Sequence, residues 1–73
     1  MDAQQIAVNI IKILQRETRF SGLDFYPVDI KDIQNEIGVD DVAMNTALKL
    51  VTNQGLVRYR ALDNSMIELT KRL

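Results

Sequence analysis

The chain contains neither cysteine nor histidine. Without cysteine, no disulfide and no thiolate metal site can form. Without histidine, the chain lacks the commonest general base and the commonest metal ligand of proteins, and Ser21 and Ser65 have no imidazole to activate them. Glycine motifs for phosphate loops are absent, and the carboxylates of residues 24–41 do not follow calcium-loop spacing. We therefore expect no enzyme activity, no cofactor and no metal site.

Long apolar runs are also missing, because none approaches the ~18 residues that a membrane-spanning helix needs. Residues 1–5 lack the basic and apolar regions of a secretory signal. We therefore expect a cytoplasmic protein that does not enter a membrane. The 73 residues suffice for one small domain. A domain of this size buries only about 60% of its unfolded surface, so pairing with a second copy or a partner would enlarge a thin core.

Charge is distributed unevenly, although the net charge is only −1. Residues 1–23 carry three basic and two acidic side chains, and residues 24–41 carry one basic and six acidic side chains. Residues 42–73 carry five basic and two acidic side chains. The chain therefore has an acidic middle and a basic end.

Residues 3–19 show the apolar spacing of an amphipathic helix that Asp2 can cap. Its apolar face consists of Ala3, Ile6, Ala7, Ile10, Ile13 and Leu14. Val8 and Ile11 lie beside this face, so the apolar surface is wider than one packing contact needs. Two interpretations remain open: these two side chains contact a loop or hairpin of the same chain, or they form a dimer contact.

Two further helices are predicted on either side of a turn at Gly38. The first, at about residues 30–37, has Asp29 as its N-cap and places Ile30, Ile33 and Ile37 toward the core. The second, at about residues 41–54, is capped by Asp40 or Asp41 and ends before Gly55. Its inner face consists of Ala43, Met44, Ala47, Leu48 and Val51. Its outer face consists of Val42, Asn45, Thr46, Lys49 and Asn53, with Leu50 on the border.

A β-hairpin is predicted at about residues 56–73. Residues 56–62 alternate, with Val57 and Tyr59 on one side and Arg58 and Arg60 on the other. Residues 63–65 have turn chemistry, and alternation resumes from Met66. Residues 25–28 are extended and predict a short additional strand ahead of the second helix.

The order of helix, short helix, turn, longer helix and hairpin resembles the winged helix-turn-helix domains of bacterial and archaeal regulators, in the broad manner of the MarR and PadR groups. Residues 30–38 carry the first half of the motif, and Gly38-Val39-Asp40 resembles its tight turn. The pattern from Ala47 to Val57 resembles the recognition helix with its exit strand, and residues 67–70 resemble the strand that returns from the wing. The expected fold is a single mostly helical α+β domain over residues 1–73.

The resemblance implies a transcriptional regulator that binds double-stranded DNA as a homodimer through helix 1. Base contacts would come from the outer face of the third helix, namely Val42, Asn45, Thr46 and Lys49. Contacts to the phosphate backbone would come from basic side chains of the hairpin region, namely Arg58, Arg60, Lys71 and Arg72. Arg58 and Arg60 also fit a second interpretation, as the solvated face of a strand.

The alternative function is that of a winged helix that binds another protein and no DNA. The acidic middle, the net negative charge and the apolar Val42 and Leu50 at or beside the outward face favour it. In either case the candidate dimer or partner contacts are Val8, Ile11 and Leu50.

Overall fold

The computed structural model describes residues 1–62 and 64–71, and within them three helices pack against a three-stranded antiparallel sheet. In chain order the elements are α1 (Ala3–Ser21), β1 (Val28–Asp29), α2 (Ile30–Ile37), α3 (Asp41–Asn53), β2 (Val57–Tyr59) and β3 (Met66–Leu69). The mostly helical α+β class and the short strand ahead of the second helix are confirmed.

α1 begins in a capping box. The Asp2 carboxylate accepts from the Gln5 backbone N–H at 2.8 Å, and the Gln5 side chain accepts from the Asp2 N–H at 2.9 Å. The helix continues to Ser21, two residues beyond the predicted end. The reason is that its left-handed terminating residue is Gly22, with φ of 73°, so the chain stays helical until that glycine.

α2 and α3 are also bounded by short polar caps and glycines. Asp29 accepts from the Lys31 N–H at 2.8 Å, and Gly38 ends α2 with φ of 82°. Asp40 accepts from the Ala43 N–H at 2.8 Å, so Asp40, and not Asp41, is the cap of α3.

The end of α3 lies one residue before the predicted one, at Asn53. Gly55 then takes the left-handed conformation, and the Leu56 N–H donates to the Val51 carbonyl at 3.0 Å. Further back, the Gln34 amide of α2 donates to Asp41 at 2.8 Å, which ties the two helices together across the turn.

β3 is the central strand of the sheet, with β1 on one side and β2 on the other. Val28 of β1 lies opposite Ile67, and Val57 of β2 lies opposite Leu69. The Ile30 N–H at the start of α2 donates to the Ser65 carbonyl at 2.9 Å. The hairpin is therefore fixed to the start of α2 as well as to the core.

The core of the described residues is built mainly from α1 and α3. Its members are Ile6, Ala7, Ile10, Ile13, Leu14, Ile33, Met44, Ala47, Leu48, Val51, Val57, Ile67 and Leu69. Ile11 packs at its edge, whereas Val8 remains 44% exposed. The inner faces predicted for the first and third helices thus form one continuous contact.

An exposed ion pair joins α1 to α2. Both terminal nitrogens of Arg16 lie 2.7 Å from carboxylate oxygens of Glu36. These hydrogen bonds lower the pKa of Glu36 and raise the pKa of Arg16. The associated stability is present above the ordinary pKa of Glu36 and is lost as the pH falls through its lowered value, but exposed pairs of this kind stabilise little.

Two substitutions on α1 test the orientation of this helix. Ile10→Val should lower the free energy of unfolding by about 1 kcal/mol, because Ile10 is fully buried and one methylene leaves a packed core. Val8→Ala removes two carbons from an exposed side chain and should change the free energy by less than about 0.5 kcal/mol. Urea unfolding followed by circular dichroism measures both, and the opposite ranking would contradict the packing.

Candidate nucleic-acid interface

The outer face of α3 is a continuous exposed surface. Val42, Asn45, Thr46 and Lys49 are all exposed, and their i, i+3 and i+4 spacing places them side by side. The Thr46 hydroxyl donates to the Val42 carbonyl at 2.9 Å, whereas the side chains of Asn45 and Lys49 donate no hydrogen bond within the described part of the chain. These four sequence-predicted residues are therefore brought together, with an amide and an ammonium available to a ligand.

The electrostatics of this surface are mixed. Lys49 is the only cation of the outer face, while Asp40 and Asp41 lie exposed at the start of the helix. Asp40 is engaged as the N-cap and Asp41 accepts from Gln34, so both carboxylates are held in place. Their charge stabilises the positive end of the helix dipole and opposes the approach of another anion there.

A groove of about 550 Å³ borders this face, between α3, the start of α2 and the hairpin. Side chains that line it include Ile30, Lys31, Asn45, Leu48, Tyr59 and Asn64. Leu48 and Ile30 supply apolar surface, Lys31 supplies a cation and Asp29 supplies a carboxylate. Strand alternation predicted that Tyr59 and Val57 lie on the same side of the strand. Val57 is buried, whereas Tyr59 is 42% exposed, so the strand leaves the core between them.

Arg58 and Arg60 lie on the opposite side of β2 from Tyr59, since side chains alternate along a strand. Both contact Glu68 of β3. The Arg58 Nε and Nη2 atoms donate to Oε2 of Glu68 at 3.2 and 2.8 Å, and the Arg60 Nε lies 3.1 Å from Oε1. Glu68 is 3% exposed, so one buried carboxylate holds two half-exposed guanidinium groups.

Glu68 is the residue that sequence reasoning missed. Its role follows from the register of the hairpin, in which Arg58 and Glu68 lie directly opposite each other. Because the register follows from the turn, the pairing could not be derived from the composition of either strand. The carboxylate reduces the charge of the cluster from two positive charges to one.

The predicted DNA-contacting residues are therefore divided between two surfaces. Val42, Asn45, Thr46 and Lys49 lie on α3, while Arg58 and Arg60 lie on the far side of β2. Lys71 is exposed just after β3, and Arg72 lies outside the described residues.

The candidate dimer contacts are also separated. Val8 and Ile11 line a groove of about 270 Å³ between α1 and the end of α3, together with Gln4, Ala7, Lys12 and Leu56. Leu50 does not line this groove. It is partly buried and packs against the core, which agrees with its predicted position on the border of the two faces.

The arginine pair should also affect stability. Replacing Arg58 and Arg60 with alanine leaves the Glu68 carboxylate buried without these partners, so the free energy of unfolding at neutral pH should fall by about 1–3 kcal/mol. In a Glu68→Leu background the same replacement should cost less than about 1 kcal/mol. Urea unfolding of the four proteins measures the coupling, and equal losses in both backgrounds would exclude it.

Comparison with protein-family models, with curated proteins and with solved structures finds no match to this chain. None of the helices in residues 1–62 and 64–71 combines the length and the apolar character needed to cross a membrane. Within the same residues, no cluster of three or more histidine, cysteine, aspartate or glutamate side chains could hold a metal ion.

Proposed function

We propose that this chain is a winged helix-turn-helix protein that binds double-stranded DNA, with α3 as the recognition helix, and that it acts as a cytoplasmic transcriptional regulator. Three residues join α2 to α3, the hairpin follows α3 directly, and β1 completes the sheet beside β3. This arrangement supports a winged-helix assignment. The observation that carries the proposal is the exposed polar face of α3, on which Asn45 and Lys49 are available for contact.

The chemistry of that face suits the major groove. α3 has 13 residues, which corresponds to a length of about 20 Å, and the major groove admits a helix. The Asn45 amide can bond an adenine edge, Lys49 can reach guanine or a phosphate, and Thr46 can place its methyl group against thymine. The groove beside Asn45 leaves space for the neighbouring phosphate strand, with Lys31 at its wall.

A homodimer through α1 is part of this proposal. The groove that contains Val8 and Ile11 provides exposed apolar surface on the helix. A single recognition helix contacts only a few base pairs, and two copies related by twofold symmetry would contact two half-sites.

A protein partner is the second candidate function. Val42 is 76% exposed on the outer face of α3, beside a single cation and close to Asp40 and Asp41. An apolar side chain with carboxylates nearby fits a protein surface better than a phosphate strand. This observation favours an adaptor or subunit that docks through the same helix.

The DNA proposal predicts a specific role for Lys49. Lys49→Ala should weaken binding to mixed-sequence duplex and reduce the magnitude of the salt slope by about 0.9, because one phosphate contact is lost. Arg19→Ala removes the same charge from the last turn of α1 and should leave both quantities unchanged. Fluorescence anisotropy between ~50 and ~200 mM salt measures them. Equal effects of the two substitutions would mean that α3 is not the contacting surface.

Val42→Ser separates the two candidate functions. A protein partner that covers Val42 should be lost on this substitution and retained by Leu23→Ser, which changes another exposed apolar side chain, as measured by affinity capture with both variants. If the unmodified protein binds duplex and captures no partner, the second function is excluded.

A further inference from the structure

We infer that Arg58, Glu68 and Arg60 form a site for one phosphate group of a nucleic-acid backbone, in which the buried Glu68 carboxylate positions both guanidinium groups. The inference rests on the proposed function and adds to it a positioning residue. It assigns to an acidic side chain a favourable part in binding an anion. The site lies on the side of β2 opposite the buried Val57.

The geometry uses both oxygens of one carboxylate. Oε2 of Glu68 accepts two hydrogen bonds from Arg58, at 2.8 and 3.2 Å, and Oε1 lies 3.1 Å from the Nε atom of Arg60. Only 4% of the Glu68 side chain is exposed. A carboxylate in this position cannot turn toward water, so both arginines are fixed relative to it.

The guanidinium groups themselves remain open to solvent. The side chains of Arg58 and Arg60 are 55% and 60% exposed. Each guanidinium has five N–H donors, and Glu68 occupies a minority of them. The remaining donors form planar forks, the geometry that matches phosphate oxygens, and the cluster keeps one net positive charge.

A cross-strand ion pair with Glu68 would need only one of the two arginines. Arg58 lies directly opposite Glu68 and would be sufficient to pair with it. Arg60 is a second cation on the same carboxylate, and two like charges held together raise the affinity for an incoming anion. Because the pair is already ordered, a phosphate would bind without the loss of rotamer freedom that flexible arginines incur.

The site lies at an open edge of the sheet. β2 is an edge strand, since β3 pairs with it on one side only. Arg60 follows the last residue of β2 and lies close to the hairpin tip. Arg60 therefore lies beside the free edge of β2, where a phosphate strand can approach it while its Nε atom stays on Glu68.

The effect of Glu68→Gln on duplex affinity depends on the role of the carboxylate. The affinity should fall if Glu68 positions the arginines, and it should rise if Glu68 acts only through its negative charge. The substitution removes a negative charge, so charge alone would tighten binding to a duplex. Positioning instead requires the carboxylate, so we expect affinity to fall about tenfold. Glu17→Gln is the matched control, because it makes the same charge change on α1, where Arg16 keeps both bonds to Glu36.

A second variant keeps both positive charges beside Glu68 and removes the planar guanidinium groups. Arg58→Lys combined with Arg60→Lys retains two cations beside Glu68, yet ammonium groups cannot bind phosphate oxygens as planar pairs. We expect this double variant to lose about tenfold in duplex affinity as well. It decides the question if Glu68→Gln fails to fold, which circular dichroism would detect.

The experiment combines anisotropy titrations of the variants with NMR spectra of the arginine Nε–H groups during titration with inorganic phosphate. The inference is supported if Glu68→Gln and the double lysine variant weaken duplex binding, Glu17→Gln does not, and phosphate shifts both arginine signals. It is overturned if Glu68→Gln binds as tightly as Glu17→Gln and the lysine variant binds like the unmodified protein.

The two proposals fail in different ways. If the unmodified protein binds no duplex while inorganic phosphate shifts the Arg58 and Arg60 signals saturably, the phosphate site stands and the DNA function is rejected. If the unmodified protein binds duplex, the variants bind it equally well, and phosphate does not shift the arginine signals, the DNA function stands and the phosphate site is rejected. If neither ligand binds, both are rejected.

Discussion

The burial of one face of α1 against α3 is the contact on which the positions of the other elements depend. Together the two helices supply nine of the thirteen core side chains of the described residues. Because α3 turns Met44, Ala47, Leu48 and Val51 toward α1, its polar side chains necessarily lie on the exposed side. The surface proposed to bind DNA is thus the complement of the surface that forms the core.

The sheet adds a second constraint, because it connects the hairpin to the start of α2 as well as to the end of α3. β1 joins the start of α2 to β3, and β2 leaves α3 within four residues. The same register that closes the sheet places Arg58 opposite Glu68. A stabilising cross-strand pair and an anion site can therefore share one set of atoms, and a substitution there changes both stability and binding.

Local chemistry made the starts of the helices predictable, whereas two of the three ends lie one or two residues from the predicted ones. Asp2, Asp29 and Asp40 each accept a backbone N–H within three residues, and Gly38 supplies the left-handed conformation at the end of α2. Long-range geometry was less accessible. The burial of Glu68 and the groove beside Tyr59 depend on which strands and helices meet, and that arrangement is not contained in any one segment. For this reason the sequence predicted that the outer residues of α3 share one face. It did not predict that the hairpin arginines lie on a different surface.

DNA binding through α3 is tested most directly by an NMR titration of the unmodified protein with mixed-sequence duplex at low salt, following backbone amides and arginine Nε–H groups. The largest shifts should occur at Asn45, Thr46 and Lys49, accompanied by Arg60, and they should vanish as salt is raised. A spectrum unchanged at saturating duplex, or shifts confined to the α1 groove around Val8, would show that α3 does not bind DNA.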